Sequence, residues 1–170
     1  MAEDNTQQRL RYRREIYRND VEKLSGWMDD EKVIRYLNES HEVSRQLDRI
    51  SQVSPLPVYS HLFNREGSFF LITLTRCGPI GFLRLIPKSG ERAEIVVVIG
   101  ERSQWGQGYG KRAVRKGLRQ AFYQWRKDEV IAKIDPENQP SCALFEKVGF
   151  SEVASSKNYK HYTITCEEFS

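Results

Sequence analysis

The run from residue 93 to residue 111 limits what this chain can fold into more than any other segment. The β-branched stretch Ile95-Val96-Val97-Val98-Ile99 is followed by Gln104-Trp105-Gly106-Gln107-Gly108-Tyr109-Gly110-Lys111, then by helical periodicity through Ala113, Leu118, Ala121, Phe122 and Trp125. Strand, glycine loop and helix in that order leave backbone N–H groups unpaired at the positive end of a helix dipole, where phosphate is favoured. Glycine removes side chains that would keep an anion off the backbone, and it tolerates φ > 0. Residues 111–127 add seven Lys or Arg and no acid, so the local field is strongly basic.

Spacing separates the phosphate-binding loops this could be. A Walker A loop needs glycine where Trp105 stands and Ser or Thr where Arg112 stands. A dinucleotide fingerprint counted from Gly106 and Gly108 needs its third glycine at Lys111. Neither fits. A strand-to-helix turn with a solvated basic helix face, binding nothing, stays open until a second motif decides.

At 170 residues the chain fits a single domain, 1–170. Its 39% hydrophobic and 29% charged residues are those of a globular chain rather than a disordered or fibrous one. The aliphatic run at 95–99 is far shorter than the ~20 residues that span a bilayer, so no membrane crossing is expected. A net charge of +4 steers anionic partners without identifying one; nucleic acid is allowed and not implied. The first 15 residues hold acids at positions 3 and 4 and no apolar run, which fits neither a secretory signal nor a transit peptide and predicts a cytoplasmic address. Cys77, Cys142 and Cys166 are widely spaced, as suits reduced thiols, and no metal site is expected.

Leu10 and Tyr12 alternating with Arg9, Arg11 and Arg13 predict a short strand. Asn19 and Asp20 offer N-cap chemistry to a helix whose apolar face is Val21, Leu24, Trp27 and Met28. A second short helix runs through Val33, Ile34 and Leu37, and another covers 42–52. Residues 54–57 break regular structure and open an irregular stretch to Gly67, a candidate substrate wall. Strands over 68–75 and 80–86 make a hairpin. Further strands cover 94–99, 129–134, 150–154 and 161–166, with a helix over 141–147. The class is mixed α/β, with helices set against a central sheet.

The second motif is DPENQPSCALFEKVGF at 135–150. Pro140 pre-sets a first helical turn and Gly149 stops the helix. The loop 105–110 and the later Asn138-x-x-Ser141-x-x-Leu144-Phe145-Glu146-Lys147-x-Gly149-Phe150 together resemble the acetyl-CoA motifs of the GNAT N-acetyltransferase superfamily. In order and spacing they are similar to its RimJ/RimL-type branch. Arg18-Asn19-Asp20-Val21, Trp27 and Arg35-Tyr36-Leu37 resemble that branch's opening helices, so the likeness runs from about residue 10 to 169.

The resemblance implies a three-layer fold with a twisted, mostly antiparallel sheet of six or seven strands flanked by helices. It implies acetyl-CoA as acetyl donor, its pyrophosphate cradled by the backbone of Trp105, Gly106, Gln107, Gly108, Tyr109, Gly110 and Lys111. Asn138 and Ser141 contact the pantetheine or nearby phosphates, and Val98 and Ile99 hydrogen-bond pantetheine through their backbones. The acceptor is a primary amine: a protein N-terminus, a small-molecule amine or an antibiotic amine. A homodimer is compatible with the family.

Acyl transfer to an amine needs a neutral amine, a stabilised oxyanion and a proton for the departing thiolate. Backbone N–H groups late in the 94–99 strand serve the oxyanion if that strand splays from its neighbour. Alternation puts Glu94 on one face with Val96 and Val98, where poor solvation makes a carboxylate a better proton acceptor. It is the first choice as base; a surface ion pair with Arg92 is the alternative. The family's thiolate-protonating Tyr is Phe145 here, leaving Ser141, Tyr109, Tyr123 or solvent for that role. Cys142 reads as core rather than nucleophile, and His41, His61 and His161 show no partnering pattern. The competing function is a non-catalytic acyl-CoA sensor, or a nucleic-acid module using the 111–127 helix.

Overall fold

The computed structural model describes residues 9–37, 40–52 and 55–170, with the backbone alone for 40–42. The N-terminal octet on which the leader reading partly rests, the His41 side chain and Ser54 lie outside the described residues.

β1 (Leu10–Arg13) forms as the alternation predicts and lies antiparallel to β2 (Ser68–Leu74). α1 (Arg18–Asp29) starts earlier than the expected cap, with Tyr17 at the N-cap. Asp20 instead occupies the third helical position. Its carboxylate accepts the Tyr17 N–H at 2.8 Å and two Arg13 guanidinium bonds at 2.7 and 3.0 Å. One buried acid thus closes the helix start and ties it to β1. α2 (Glu31–Ile34) begins at Asp30, whose Oδ1 accepts the Lys32 N–H. α3 spans Ser40–Ser51.

The stretch read as irregular contains a one-turn helix, α4 (Ser60–Phe63). Side-chain bonds organise it where periodicity gave no sign. Ser60 Oγ accepts the Ile16 N–H at 2.9 Å, while Asn64 Oδ1 accepts the Phe69 N–H at 2.8 Å.

β3 (Gly78–Lys88) completes the hairpin with β2, and β4 (Arg92–Ile99) pairs antiparallel with β3 from Gly81↔Ile99 to Lys88↔Arg92. After a 3₁₀ turn at Arg102–Gln104 comes α5 (Tyr109–Arg119), which ends in a π turn over Gln120–Gln124. β5 (Glu129–Ile134), α6 (Gln139–Val148), β6 (Ser151–Ser155) and β7 (Lys160–Thr165) follow. Cys166, read as the end of the last strand, starts α7 (Cys166–Phe169). Thr165 and Glu168 exchange side-chain-to-backbone bonds there, a capping box that ends the strand.

Among the described residues seven strands form one sheet ordered β1-β2-β3-β4-β5-β7-β6, in which β4 with β5 is the only parallel pair. α5 and α6 cover one face, burying Ala113, Val114, Leu118 and Phe145 against Leu83, Ile95 and Val130. α1, α3 and α4 cover the other, with Leu24, Trp27, Val43 and Phe63 over Phe69, Phe82 and Val98. Among the described residues no helix is long and apolar enough to cross a membrane.

The approach of α5 to the sheet requires Gly117. A Cβ there would lie 2.6 Å from Ile95 Cδ1 and 3.0 Å from Leu83 Cδ1. Gly117→Val overpacks this seam, an effect of about 1–3 kcal/mol. For a domain of this size the expected fall in Tm is roughly 2–12 °C. Thermal unfolding checks it, and an unchanged Tm would mean that α5 can ride away from the sheet freely.

Candidate active site

The parallel β4–β5 ladder is short, covering Arg92↔Glu129, Ala93↔Val130 and Glu94↔Ile131. Both strands continue, β4 to Ile99 and β5 to Ile134, so they splay apart beyond Glu94. Hydrogen bonds at the two ends of β4 fix which amides face the opening. Asp128 N–H donates to the Glu91 carbonyl and Gly100 N–H to the Ile80 carbonyl, each at 2.8 Å. Odd-numbered residues therefore turn their backbone groups toward β5, and even-numbered ones toward β3. Val97 and Ile99 present theirs to the splay. The Val98 backbone faces β3, opposite Phe82, and its side chain is core. Sequence reasoning paired Val98 with Ile99 for pantetheine because strand parity cannot be read without the register; Val97, which it left out, has the fitting orientation.

The glycine loop closes the wide end of this cleft. Gly106 and Gly108 have φ of +74° and +83°, the left-handed region that favours glycine, and a Cβ on either would meet nothing within 4 Å. The loop's outer side is therefore open space. Gly108 is the α5 N-cap, so the first-turn amides of Tyr109, Gly110 and Lys111 have no intrahelical acceptor. At Gly110 a Cβ would come 3.0 Å from Leu144 Cδ1 and 4.0 Å from Ile99 Cγ1, so the start of α5, α6 and the end of β4 meet at one place.

The Trp105 side chain, 45% exposed, donates from Nε1 to the Ile99 carbonyl at 2.7 Å. Its indole thus braces the loop against β4. The segment before it is anchored to α1 and its C-terminal junction: Glu101 accepts from Trp27 Nε1 at 3.0 Å and Lys23 Nζ at 3.1 Å, and Arg102 bonds Asp30 at 2.8 Å. The Trp27 hydrogen bond, helped by Lys23, holds the Glu101 carboxyl below its ordinary range. Gln107 is exposed in the loop and Lys111 half-buried on the first turn of α5.

At α6, Asn138 is the N-cap, and its Oδ1 accepts the Ser141 N–H at 3.3 Å. Both residues are half-buried at the helix start, on the loop that leaves β5. Gly149 ends the helix at φ +123°, as its position predicted.

Glu94 sits where the strands part, on the face of α1, α3 and α4, and is only 5% exposed. Its partners are Lys88 Nζ at 3.5 Å and Lys133 Nζ at 3.7 Å; Arg92 turns instead to the Ser89 carbonyl. Neither lysine stood out in sequence, since β-register alone brings 88 and 133 to 94. The register also sets His161 opposite Lys133 on that face. Tyr109 is half-buried beside the loop, whereas Tyr123 packs near Phe169, about 21 Å along the helix from Tyr109. Phe145 is buried edge-on to Phe150, and Cys142 is buried. Tyr162 is buried too and donates to Glu146 at 3.0 Å; burial first, then Cys142 and Glu146, pushes its phenol well up. Among the described residues, no group of three His, Cys, Asp or Glu is placed to hold a metal ion.

On α5, Arg112, Arg115 and Arg119 form an exposed basic stripe, but Phe122 is buried and Trp125 half-buried in the core. Tyr123, one turn beyond Arg119, is half-exposed and leans on Phe169.

Residues 9–151 match the family described as acetyltransferase (GNAT) domain. The chain is 28% identical over 149 residues to a relative from Bacillus licheniformis named as an uncharacterized N-acetyltransferase p20, covering 86% of this chain and 82% of that protein. A GNAT-family acetyltransferase structure from Bacillus anthracis superposes with a TM-score of 0.72 at 21% identity, covering 94% of this chain and 96% of that one. A spermidine N-acetyltransferase from Vibrio cholerae, solved with CoA and spermine, also gives 0.72, at 16% identity over 97% of this chain and 99% of its own. With a family match over most of its length and the same sheet and helix layers as those neighbours, this chain belongs to the GNAT family and is an N-acetyltransferase.

Proposed function

We propose that the protein transfers acetyl from acetyl-CoA to a primary amine by direct transfer in a ternary complex, within the cytoplasm and as a member of the RimJ/RimL-type branch. The observation that carries this reading is the cleft itself: a β4–β5 splay that exposes Val97 and Ile99 amides and ends at an open glycine loop. The residues present fit the donor. Gly106, Gly108 and the first-turn amides of α5 form a cradle for pyrophosphate, with Lys111 beside it. Val97 and Ile99 hold the pantetheine arm in strand fashion, and Asn138 and Ser141 border it from α6.

Bound acetyl-CoA supplies the thioester carbonyl. The chain's own groups do the rest. Glu94, at the apex of the splay, accepts the proton of the amine through water. The backbone N–H of Val97 is aimed into the cleft where an oxyanion develops. Phe145 carries no proton, so the Ser141 hydroxyl is assigned to protonate the departing thiolate.

A thermal-shift titration with acetyl-CoA tests the donor site. At 100 times its dissociation constant the ligand adds roughly 2.7 kcal/mol to stability. Release of CoA thiol against an amine panel then separates a transferase from a silent sensor. A flat titration removes the donor assignment; protection without thiol release favours the sensor.

A further inference from the structure

Two lysines meet the Glu94 carboxylate from opposite ends of the short parallel ladder. Lys88 Nζ lies 3.5 Å from one oxygen and Lys133 Nζ 3.7 Å from the other, and both side chains are 38% exposed. Their places in the sheet differ. Lys88 pairs with Arg92, two residues before Glu94, where β4 and β5 are still joined. Lys133 lies two residues beyond Ile131, the partner of Glu94, and so stands past the last rung, on the open side.

Parallel strands advance in step, at about 3.3 Å per residue, which puts Lys133 level with Val96 and one residue short of Val97. The Val97 N–H is the group aimed at the developing oxyanion. Alternation gives Lys133 the same face as Ile131 and therefore as Glu94. Its flexible four-carbon stem crosses the gap that its backbone leaves, and the amine rests on Glu94. A primary amine of the chain thus occupies the place that an acceptor amine must take: against the base, on the open side, at the level of the acyl carbon. Rotation about the stem carries Nζ from Glu94 toward Val97.

We infer that Lys133 is an internal acetyl acceptor: with no external amine bound, the protein acetylates its own Lys133 Nζ. This rests on the transferase reading above. The Lys133 ammonium gives one proton to Glu94 through water, and the freed lone pair bonds the acetyl carbon. The C–S bond then breaks and its electron pair stays on sulfur. Ser141 protonates that thiolate, and the second nitrogen proton replaces the one Ser141 gave. The products are Nε-acetyl-Lys133, CoA thiol and the proton on Glu94, which passes to solvent. An external amine competes for the same position and so protects Lys133.

The test incubates the native protein with acetyl-CoA in amine-free buffer, follows thiol release and maps acetylated lysines by peptide mass spectrometry. One acetyl group per chain on Lys133 is expected, with a matching burst of thiol. Lys88 is the internal control, since it has the same exposure and the same carboxylate but sits on the closed side. Lys133 is expected to react roughly 10²-fold faster than Lys88, as placement beside both base and thioester allows. Lys133→Arg keeps a cation on Glu94 and abolishes the burst. Glu94→Gln slows Lys133 acetylation by roughly 10²-fold or more and leaves the slow background at other exposed lysines as it was. A saturating amine that the protein acetylates suppresses the labelling of Lys133.

Equal labelling of Lys88 and Lys133, or a burst that survives Lys133→Arg, overturns the inference. So does an accepted amine that leaves Lys133 labelling unchanged. Turnover of the amine panel with no labelling of Lys133 removes this proposal and leaves the transferase reading standing, whereas absence of labelling, turnover and acetyl-CoA protection together removes both.

Discussion

Glu94→Gln lowers acetyl transfer by roughly 10²- to 10⁴-fold, the range that a positioned general base contributes, while acetyl-CoA protection in a thermal shift is unchanged. The expectation follows from position. Glu94 is buried at the last pair of the β4–β5 ladder, where the opening begins. Gln keeps the shape and hydrogen-bonding reach but cannot take a proton. Lys88 and Lys133, each with a 38% exposed side chain, remain hydrated after the change, whereas buried Arg84 loses the opposing charge of Glu94, so a lower Tm of the free variant accompanies the loss of turnover. Native turnover by Glu94→Gln would move the base elsewhere on this face.

The second large effect concerns the loop. Gly108→Val is expected to weaken acetyl-CoA binding by roughly 10- to 150-fold, as loss of a charge-assisted backbone contact does. Two causes are separable. At φ +83° a β-branched residue strains the backbone by about 1–2 kcal/mol, and its side chain also fills space that the anion needs. Gly108→Asn tolerates the left-handed conformation yet still presents a side chain. If approach of the anion is what glycine serves, both variants lose affinity in a calorimetric titration, and only Val lowers the Tm of the free protein. If Asn binds acetyl-CoA like the native chain, glycine serves conformation alone.

The glycine loop and the α6 motif were legible because their information is local. Positive φ, helix stops and amide exposure depend on a few neighbouring residues, so the turn at Gly106 and Gly108 and the helix end at Gly149 could be placed from spacing, while Asn138 entered through the family resemblance and its capping role came from the structure. Where a local reading slipped, a side chain had a better non-local use. Asp20 moved from cap to third helical position because Arg13, seven residues back on β1, and the Tyr17 amide share its carboxylate. Asn64 and Ser60 organised a segment with no apolar period by bonding to β2 and to Ile16.

By itself, then, the amino-acid sequence determined the order of strands and helices, the phosphate-type loop and the family it resembles, since each is written in contiguous residue types. Tertiary structure alone decided where β4 and β5 part, and therefore that Val97 rather than Val98 turns its amide into the cleft. It also decided that Arg84, Lys88 and Lys133 surround Glu94. Backbone parity and cross-sheet neighbours are set by register, and register depends on burying both sheet faces at once, which no short stretch of sequence specifies.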